Sequence, residues 1–304
     1  MKIGLPKALL YYRYGVLWET FFAELGCETI TSGDTNQDML VQGVACSVGE
    51  CCLPVKLYMG HVISLLGHCD YIMAPRFENF EKNGEFCIRF WGLPDIVRST
   101  FPHAPLIGYD LQGQKKANEL LGFLQMGKIL GKGPAQTLSA YRHAKQKQAR
   151  WDAERCQAQT QALREAGHKI LLATHPYIIH DPLVGGPLVR MLRAAGGTPV
   201  YTDRCDLGAC RKLSKTLSKD LYWSMNQEII GAIAHMEGQA DGVILISAFP
   251  CGTDSLVNEL VMRRAKHIPM AQIVLDEQQG EAGLQTRIEC FMDVIKERKQ
   301  RHVS

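Results

Sequence analysis

No stretch of about 18 uninterrupted apolar residues occurs in the 304-residue chain, which removes a membrane-spanning helix from consideration. No basic run, acidic tail or low-complexity tract is present. A formal net charge of +3, with histidines neutral, is too mild to argue for a nucleic-acid or membrane partner. Residues 1–12 carry no cleavable signal pattern, because the apolar stretch 5–17 is short and is broken by Pro6, Lys7 and Arg13. The expectation is a cytoplasmic protein. Also missing are Gly-x-Gly-x-x-Gly, a P-loop and Gly-x-Ser-x-Gly, so ATP binding by this chain has no support in its motifs. Cys-x-x-Cys, the strong signature of a thiolate metal site, is absent, and no ligand pairs stand at the usual zinc spacings.

What is present is an ordinary globular composition with an unusual number of thiols. The chain is 46% hydrophobic and 21% charged, enough apolar material for two sizeable cores. Eleven cysteines need an account. A reducing cytosol disfavours structural disulfides, which leaves buried packing, catalytic thiols or metal ligands. Cys27, Cys69 and Cys290 sit within apolar patterns and read as core residues.

Strand and helix signals alternate along the chain. Residues 2–5, 28–31, 71–74 and 105–108 read as strands. Residues 8–25, 36–42, 55–66 and 114–130 read as helices, with Trp18, Phe21, Phe22 and Leu25 on one face of the first and Gly26 ending it. Residues 76–91 read as a loop. A long polar helix over 136–166 follows the punctuation Gly131, Gly133 and Pro134. Four further pairs complete the pattern: strand 169–174 with helix 186–195, 198–202 with 213–236, 242–247 with 254–266, and 270–275 with 283–298. Such alternation implies parallel sheets covered by helices. The fold class expected is α/β, with two Rossmann-like (flavodoxin-like) lobes at 1–134 and 168–304 joined by a connecting helix at 135–167. Ligands of open parallel sheets bind at the carboxyl ends of the strands, so the loops there matter most.

Three cysteines fall in such loops. Cys52 directly precedes a helix, Cys87 lies ahead of Gly92-Leu93-Pro94-Asp95, and Cys251 stands between a buried strand and the next helix. A thiolate at a helix N-terminus is stabilised by the dipole and by free N–H groups, and Gly252 lets the backbone approach a bulky inorganic core. Three thiolates from two lobes brought to one cleft would bind an iron–sulfur cluster and leave one iron open. From spacing alone, scattered buried thiols and a zinc site stay open as well. Other residues carry less. Lys56 and His61 on the helix after Cys52 face either the cleft or the surface. His175 ends the first strand of the second lobe, with Asp181 serving a turn or the cleft, and Asp276 to Glu281 cap the last helix.

Eight ordered segments then carry a resemblance: residues 3–28, ECCLPVKLYMGHV (50–62), DYIMAPR (70–76), CIRFWGLPDIV (87–97), HPYIIHDP (175–182), 221–223, SAFPCGTDSLVNEL (247–260) and 276–293. From residue 2 to about 296 the chain resembles the acyl-CoA dehydratase activase-related proteins, often labelled "CoA protein activase". These are related to the cluster-bearing subunits of 2-hydroxyacyl-CoA dehydratases and benzoyl-CoA reductases, and to double-cubane-cluster reductases. The resemblance implies that Cys52, Cys87 and Cys251 hold a 4Fe-4S cluster, or half of an 8Fe-9S double cubane. It implies a separate ATP-hydrolysing activase as donor of low-potential electrons, a small substrate of which acyl-CoA is the candidate class, to be reduced or dehydrated, and a homodimer. Lys56, His61, His175 and Glu281 are lesser candidates for lining the cleft. The chain departs from the family pattern in places. Cys51 stands where a small polar residue is usual, which leaves open which of the two thiols ligates. Cys-Pro-Lys reads Cys87-Ile88-Arg89, a histidine is lost near Gln278 and Gln279, and Thr253 replaces a common proline. Cys46, Cys205 and Cys210 are additional. Rival readings are a non-catalytic electron-transfer or scaffold component, a cluster assembly or delivery protein, and a two-lobed nucleotide- or CoA-binding protein whose cysteines only pack.

Overall fold

A computed structural model describes residues 1–81, 84–112, 118–265, 267–278 and 280–303. The chain divides into two units. Unit 1 comprises Met1–Ala153 with Tyr222–Ser224, and unit 2 comprises Glu154–Leu221 with Met225–Ser304.

Unit 1 opens with β1 (Lys2–Leu5), α1 (Tyr11–Glu24), β2 (Glu28–Thr31), α2 (Gln37–Ala45), α3 (Leu53–Leu65) and β3 (Tyr71–Met73). It continues with β4 (Arg76–Glu81), β5 (Gly84–Glu85), α4 (Ile88–Trp91), α5 (Leu93–Thr100), β6 (Leu106–Ile107), β7 (Asp110–Gln112) and α6 (Asn118–Ile129). The main sheet is parallel, in the order β2-β1-β3-β6. Its strands are short, and in β1 and β3 Ile3, Leu5 and Ile72 are fully buried, whereas the edge strand β2 is polar. On α1 the apolar spacing buries Leu17, Trp18, Phe21 and Phe22 on one stripe. Phe21 then meets Phe123 of α6 edge-on at 4.7 Å. The expected start of α1 at residue 8 is three residues early, because residues 6–10 turn first and Leu9 takes a left-handed φ of 48°. That conformation costs a side-chain-bearing residue about 1–2 kcal/mol, and full burial of Leu9 offsets it. The loop expected over 76–91 is also corrected. β4 pairs with β7 in parallel and with β5 antiparallel to form a second, three-stranded sheet, and α4 follows. Residues 114–117 of the expected 114–130 helix lie outside the described residues, and α6 supplies the rest.

The helix α7 (Pro134–Ala162) carries the division between the units. Unit 2 continues with β8 (His168–Ala173), α8 (Pro176–Ile179), α9 (Gly185–Ala194), β9 (Gly197–Tyr201) and a 3-10 turn over Thr202–Arg204. Then come α10 (Leu207–Leu217), α11 (Ser224–His235), β10 (Gly242–Ala248), α12 (Gly252–Arg264), β11 (Met270–Leu275) and α13 (Glu281–Val303). The sheet is parallel in the order β11-β10-β8-β9. All seven residues of β10 are buried, as a strand covered on both faces requires. The single helix expected over 213–236 is instead two. Ser218 leaves α10 in an extended conformation, and Trp223, which belongs to unit 1, bridges to Glu85 of that same unit. Lys266, the end of the expected helix 254–266, and Gln279, in the expected capping segment before the last helix, lie outside the described residues.

Each unit therefore carries a parallel sheet in the order second, first, third, fourth strand, the flavodoxin-like pattern. The fold is α/β with two Rossmann-like lobes. In both sheets the chain reverses direction between the first and third strands, where such folds bind ligands.

Candidate functional site

Cys52, Cys87 and Cys251 hold the same local position. Each is the residue that caps the start of a helix: Cys52 for α3, Cys87 for α4 and Cys251 for α12. At none of the three does a side chain cap the first-turn N–H groups. All three are half-buried, and all eleven cysteines are outside any disulfide. Neighbouring Cys51, in contrast, is buried at 3% exposure, while Cys52 presents the helix start.

In unit 1, Pro54 fixes the first turn of α3 behind Cys52. The Cys87 segment is tied to the Cys52 segment by the Arg89 guanidinium, which donates to the Glu50 carbonyl at 3.4 Å. Lys56 and His61 are neither open nor on the surface, since both are buried. His61 is enclosed, with Nδ1 at 2.7 Å from Ser32 Oγ and Nε2 at 2.9 Å from Thr35 Oγ1. Burial, reinforced by the positive charge of Lys7, pushes its pKa down to about 4, so it is neutral at pH 7. His61 therefore joins α3 to the β2–α2 connection rather than serving as an exposed acid or base.

In unit 2, Cys251 follows the turn Ala248–Phe249–Pro250 with its N–H on the Ala248 carbonyl at 2.8 Å. Its Sγ lies 3.2 Å from Thr253 Oγ1, so the threonine that replaces the common proline supports the thiol directly. A Cβ built on Gly252 would meet no atom within 4 Å, which leaves open space beside Cys251. Asp254, two residues after Gly252, is fully enclosed. Its Oδ1 accepts from Asn226 Nδ2 at 2.8 Å and lies 2.9 Å from His175 Nε2. Burial alone would raise the Asp254 pKa. The charge of His175 and hydrogen bonds from His175, Asn226 and Cys251 outweigh it and hold the group below its ordinary value. His175 stacks on Tyr177 at 4.9 Å.

This polar knot sits at the carboxyl ends of β8 and β10, at the switch point of the second sheet. Four buried polar atoms around it have no hydrogen-bond partner among the described residues: Thr174 Oγ1, His175 Nδ1, Ser247 Oγ and Asn258 Nδ2. Each costs about 1–3 kcal/mol unless water or a ligand atom satisfies it. The arrangement can present both donors and acceptors to a small polar group.

Sequence reasoning found His175 but missed its partners. Asp254 carries a readable signal, an acid in the first turn of α12, whereas Asn226 carries none. Asp181 serves its turn, accepting the Leu183 and Val184 N–H groups at 2.9 Å each. Glu281 is exposed in the first turn of α13. Cys27 is buried as expected, but Cys290 is exposed on α13, which corrects its assignment to the core. Cys69 is half-buried with its thiol on the Leu65 carbonyl. Among the described residues, no group of three or more His, Cys, Asp or Glu side chains is arranged to hold a metal ion, and no helix is long and apolar enough to cross a membrane.

Two solved structures of the SBP FpvC from Pseudomonas aeruginosa, one with Ni2+ and one with Mn2+, align over 98% of this chain and over 97% and 99% of theirs. Their TM-scores are 0.29 and 0.28 at 11% identity, too loose a likeness to carry an argument. No curated protein matches the chain. Residues 2–204 match the family described as "CoA enzyme activase uncharacterised domain", about two thirds of the chain, and the protein belongs to that family of activase-related proteins.

Proposed function

We propose that this chain is an iron–sulfur component of a CoA-enzyme activation system. In this reading Cys52, Cys87 and Cys251 hold a 4Fe-4S cluster, or half of an 8Fe-9S assembly. The observation that carries the reading is the shared setting of the three cysteines: half-buried thiols, each opening a helix. The donor set fits the group. Thiolates are the usual ligands of such clusters, and the uncapped first-turn N–H groups can donate to cluster sulfur. The open space beside Gly252 fits a bulky core next to Cys251. Cys52 is favoured over Cys51 because the latter is enclosed in the core.

When bound, such a cluster supplies single electrons at low potential. The chain's own residues fix the conditions around it. Thr253 orients the Cys251 thiol. Asp254, held by His175 and Asn226, keeps the start of α12 in place. The absence of a P-loop argues that ATP is hydrolysed by a separate activase, which would donate the electrons. On this reading the chain is related to the 2-hydroxyacyl-CoA dehydratases and benzoyl-CoA reductases, and acts as a homodimer in the cytoplasm on a small, acyl-CoA-like substrate. A second reading, closer to the words of the family description, is that the chain serves the activation of a CoA enzyme and turns over no substrate itself.

Purification without oxygen, with iron and sulfide quantified per chain, tests the proposal. About four irons are expected, or about eight for the double cubane. Cys52→Ala, Cys87→Ala or Cys251→Ala should each lower the iron content and change the electron paramagnetic resonance signal of the reduced protein. A colourless, iron-free chain that cannot be reconstituted would falsify the reading. Turnover of acyl-CoA candidates with activase and ATP separates catalyst from relay.

A further inference from the structure

Strands β8 and β10 run side by side, with Leu172 beside Ile244 and Ala173 beside Leu245. His175 is still extended, so two residues further the same register sets it beside Ser247. Side chains alternate between the faces of a sheet. His175 and Ser247 therefore share one face, and Thr174 belongs to the other. The helices α11 and α12 cover the His175 face, since His175 meets Asp254 of α12 and Asp254 meets Asn226 of α11. Asn258 stands one turn after Asp254 on the same buried face of α12. Ser247, His175 and Asn258 are 1%, 4% and 4% exposed. Yet Ser247 Oγ, His175 Nδ1 and Asn258 Nδ2 have no hydrogen-bond partner among the described residues. Apolar side chains of similar size would avoid the cost of burying such atoms unpaired.

The partners assign the hydrogens. Asp254 Oδ1 accepts from Asn226 Nδ2 at 2.8 Å, so His175 Nε2, 2.9 Å from the same oxygen, donates to it as well. In the uncharged ring Nδ1 then carries a lone pair and accepts. Ser247 Oγ and Asn258 Nδ2 can both donate. The three atoms thus ask for one acceptor and one donor from outside. An anion would be stripped of water near the buried Asp254 carboxylate, and would turn a lone pair towards that of His175. An ammonium would meet the two donors with hydrogens of its own. An uncharged carboxamide satisfies all three atoms, because its carbonyl oxygen accepts and its N–H donates.

We propose that His175, Ser247 and Asn258 form a binding site in unit 2 for a small molecule bearing a primary carboxamide. The carbonyl oxygen of the ligand accepts from Ser247 and Asn258, and its N–H donates to His175 Nδ1. Asp254 and Asn226 are positioning residues, which hold the ring in the tautomer that leaves Nδ1 as acceptor. The site opens at the start of α12, where Phe249 is exposed and a Cβ on Gly252 would meet no atom within 4 Å. All five residues belong to unit 2, and none is a cysteine assigned to the cluster.

Three probes of nearly one shape test the site: acetamide, acetone, which lacks the N–H, and acetate, which lacks it and is charged. Full-length protein purified without oxygen and labelled with 15N-histidine is titrated with each, up to about 100 mM, well above the millimolar affinity such small probes reach. The His175 ring signals are those missing from His175→Gln. Acetamide should move the Nδ1 resonance to saturation, and acetone and acetate should bind at least about tenfold more weakly, since neither gives Nδ1 a hydrogen. Ser247→Ala should weaken acetamide roughly tenfold, while its urea midpoint stays equal or rises because an unpaired hydroxyl is gone. Acetate binding more tightly than acetamide would mean a protonated ring and an anion site, and would overturn the proposal. So would a His175 signal that acetamide leaves unmoved, or an acetamide affinity that Ser247→Ala does not change. Iron is quantified on the same samples, so the amide site and the cluster stand or fall separately.

Discussion

His61 must stay neutral for the fold around it to hold. Its ring is fully buried beside the positive charge of Lys7, so the protonated form is disfavoured, and both nitrogens are already bonded to hydroxyls. Its folded pKa, about 4, lies below the ordinary 6.5, so between those values the unfolded chain binds more protons. Stability is therefore complete above about pH 6.5 and falls as pH drops towards 4, by roughly 3 kcal/mol in all from this group. Urea unfolding midpoints measured from pH 7.5 to 4 should show that decline. His61→Gln, which keeps donors and acceptors but does not titrate, should flatten it. An equally steep decline in the variant would place the acid sensitivity elsewhere. At this scale the chain was partly legible. The three helix-capping cysteines announce themselves by their loops. The enclosure of His61 and the Asn226–Asp254–His175 contacts depend on residues far apart in the chain, which no local pattern encodes.

The helices pack closely where glycine allows it. α2 and α3 meet backbone to backbone, because a Cβ on Gly43 would strike the Lys56 carbonyl and one on Gly60 the Met39 carbonyl. Gly43→Ala should therefore destabilise the protein by about 2–3 kcal/mol through overpacking, read as a lower urea midpoint. Because α3 begins at Cys52, the same change should also lower retained iron if the proposed function holds. On α7, Gln159 plays the corresponding fastening role with side-chain atoms. Its Oε1 accepts the Tyr201 N–H at 2.8 Å, and its Nε2 donates to the Tyr201 carbonyl at 2.9 Å and to that of Arg204 at 3.2 Å. Gln159→Leu leaves these buried backbone groups unpaired and should cost about 2–4 kcal/mol, again measured by denaturant. Long apolar elements such as α1 and β10 were readable from periodicity. The strands β4 and β5 were not. Residues 76–81 mix charges with aromatics, and their strand character comes from pairing with β7, more than thirty positions away. The break between α10 and α11 lacks glycine or proline and follows from the Trp223–Glu85 bridge.

On the scale of the whole molecule, each unit has its own apolar sheet and helix cover. Ile3 and Leu5 in one unit, and Ile244 and Leu245 in the other, are fully buried. Stripping iron with a chelator under air should therefore leave the far-ultraviolet circular dichroism of the anaerobically purified protein unchanged. Loss of the helical signal on iron removal would mean that the cluster is a folding element, as structural zinc is in small domains. Two similar sheets in one chain also put the second-lobe switch point, with its unsatisfied Thr174, His175, Ser247 and Asn258 atoms, in the position where parallel sheets bind ligands.

The sequence by itself determined the alternation of strands and helices, the parallel α/β class and the positions of Cys52, Cys87 and Cys251 at element boundaries. Those features follow from local periodicity and from punctuation by Gly26, Pro54 and Gly252. Only the tertiary structure decided that His61 is sealed, that Cys290 is exposed while Cys205 and Cys210 are buried, and that Asp254 is gripped by His175 and Asn226. Burial and hydrogen-bond partnership are set by residues distant in sequence that packing brings together.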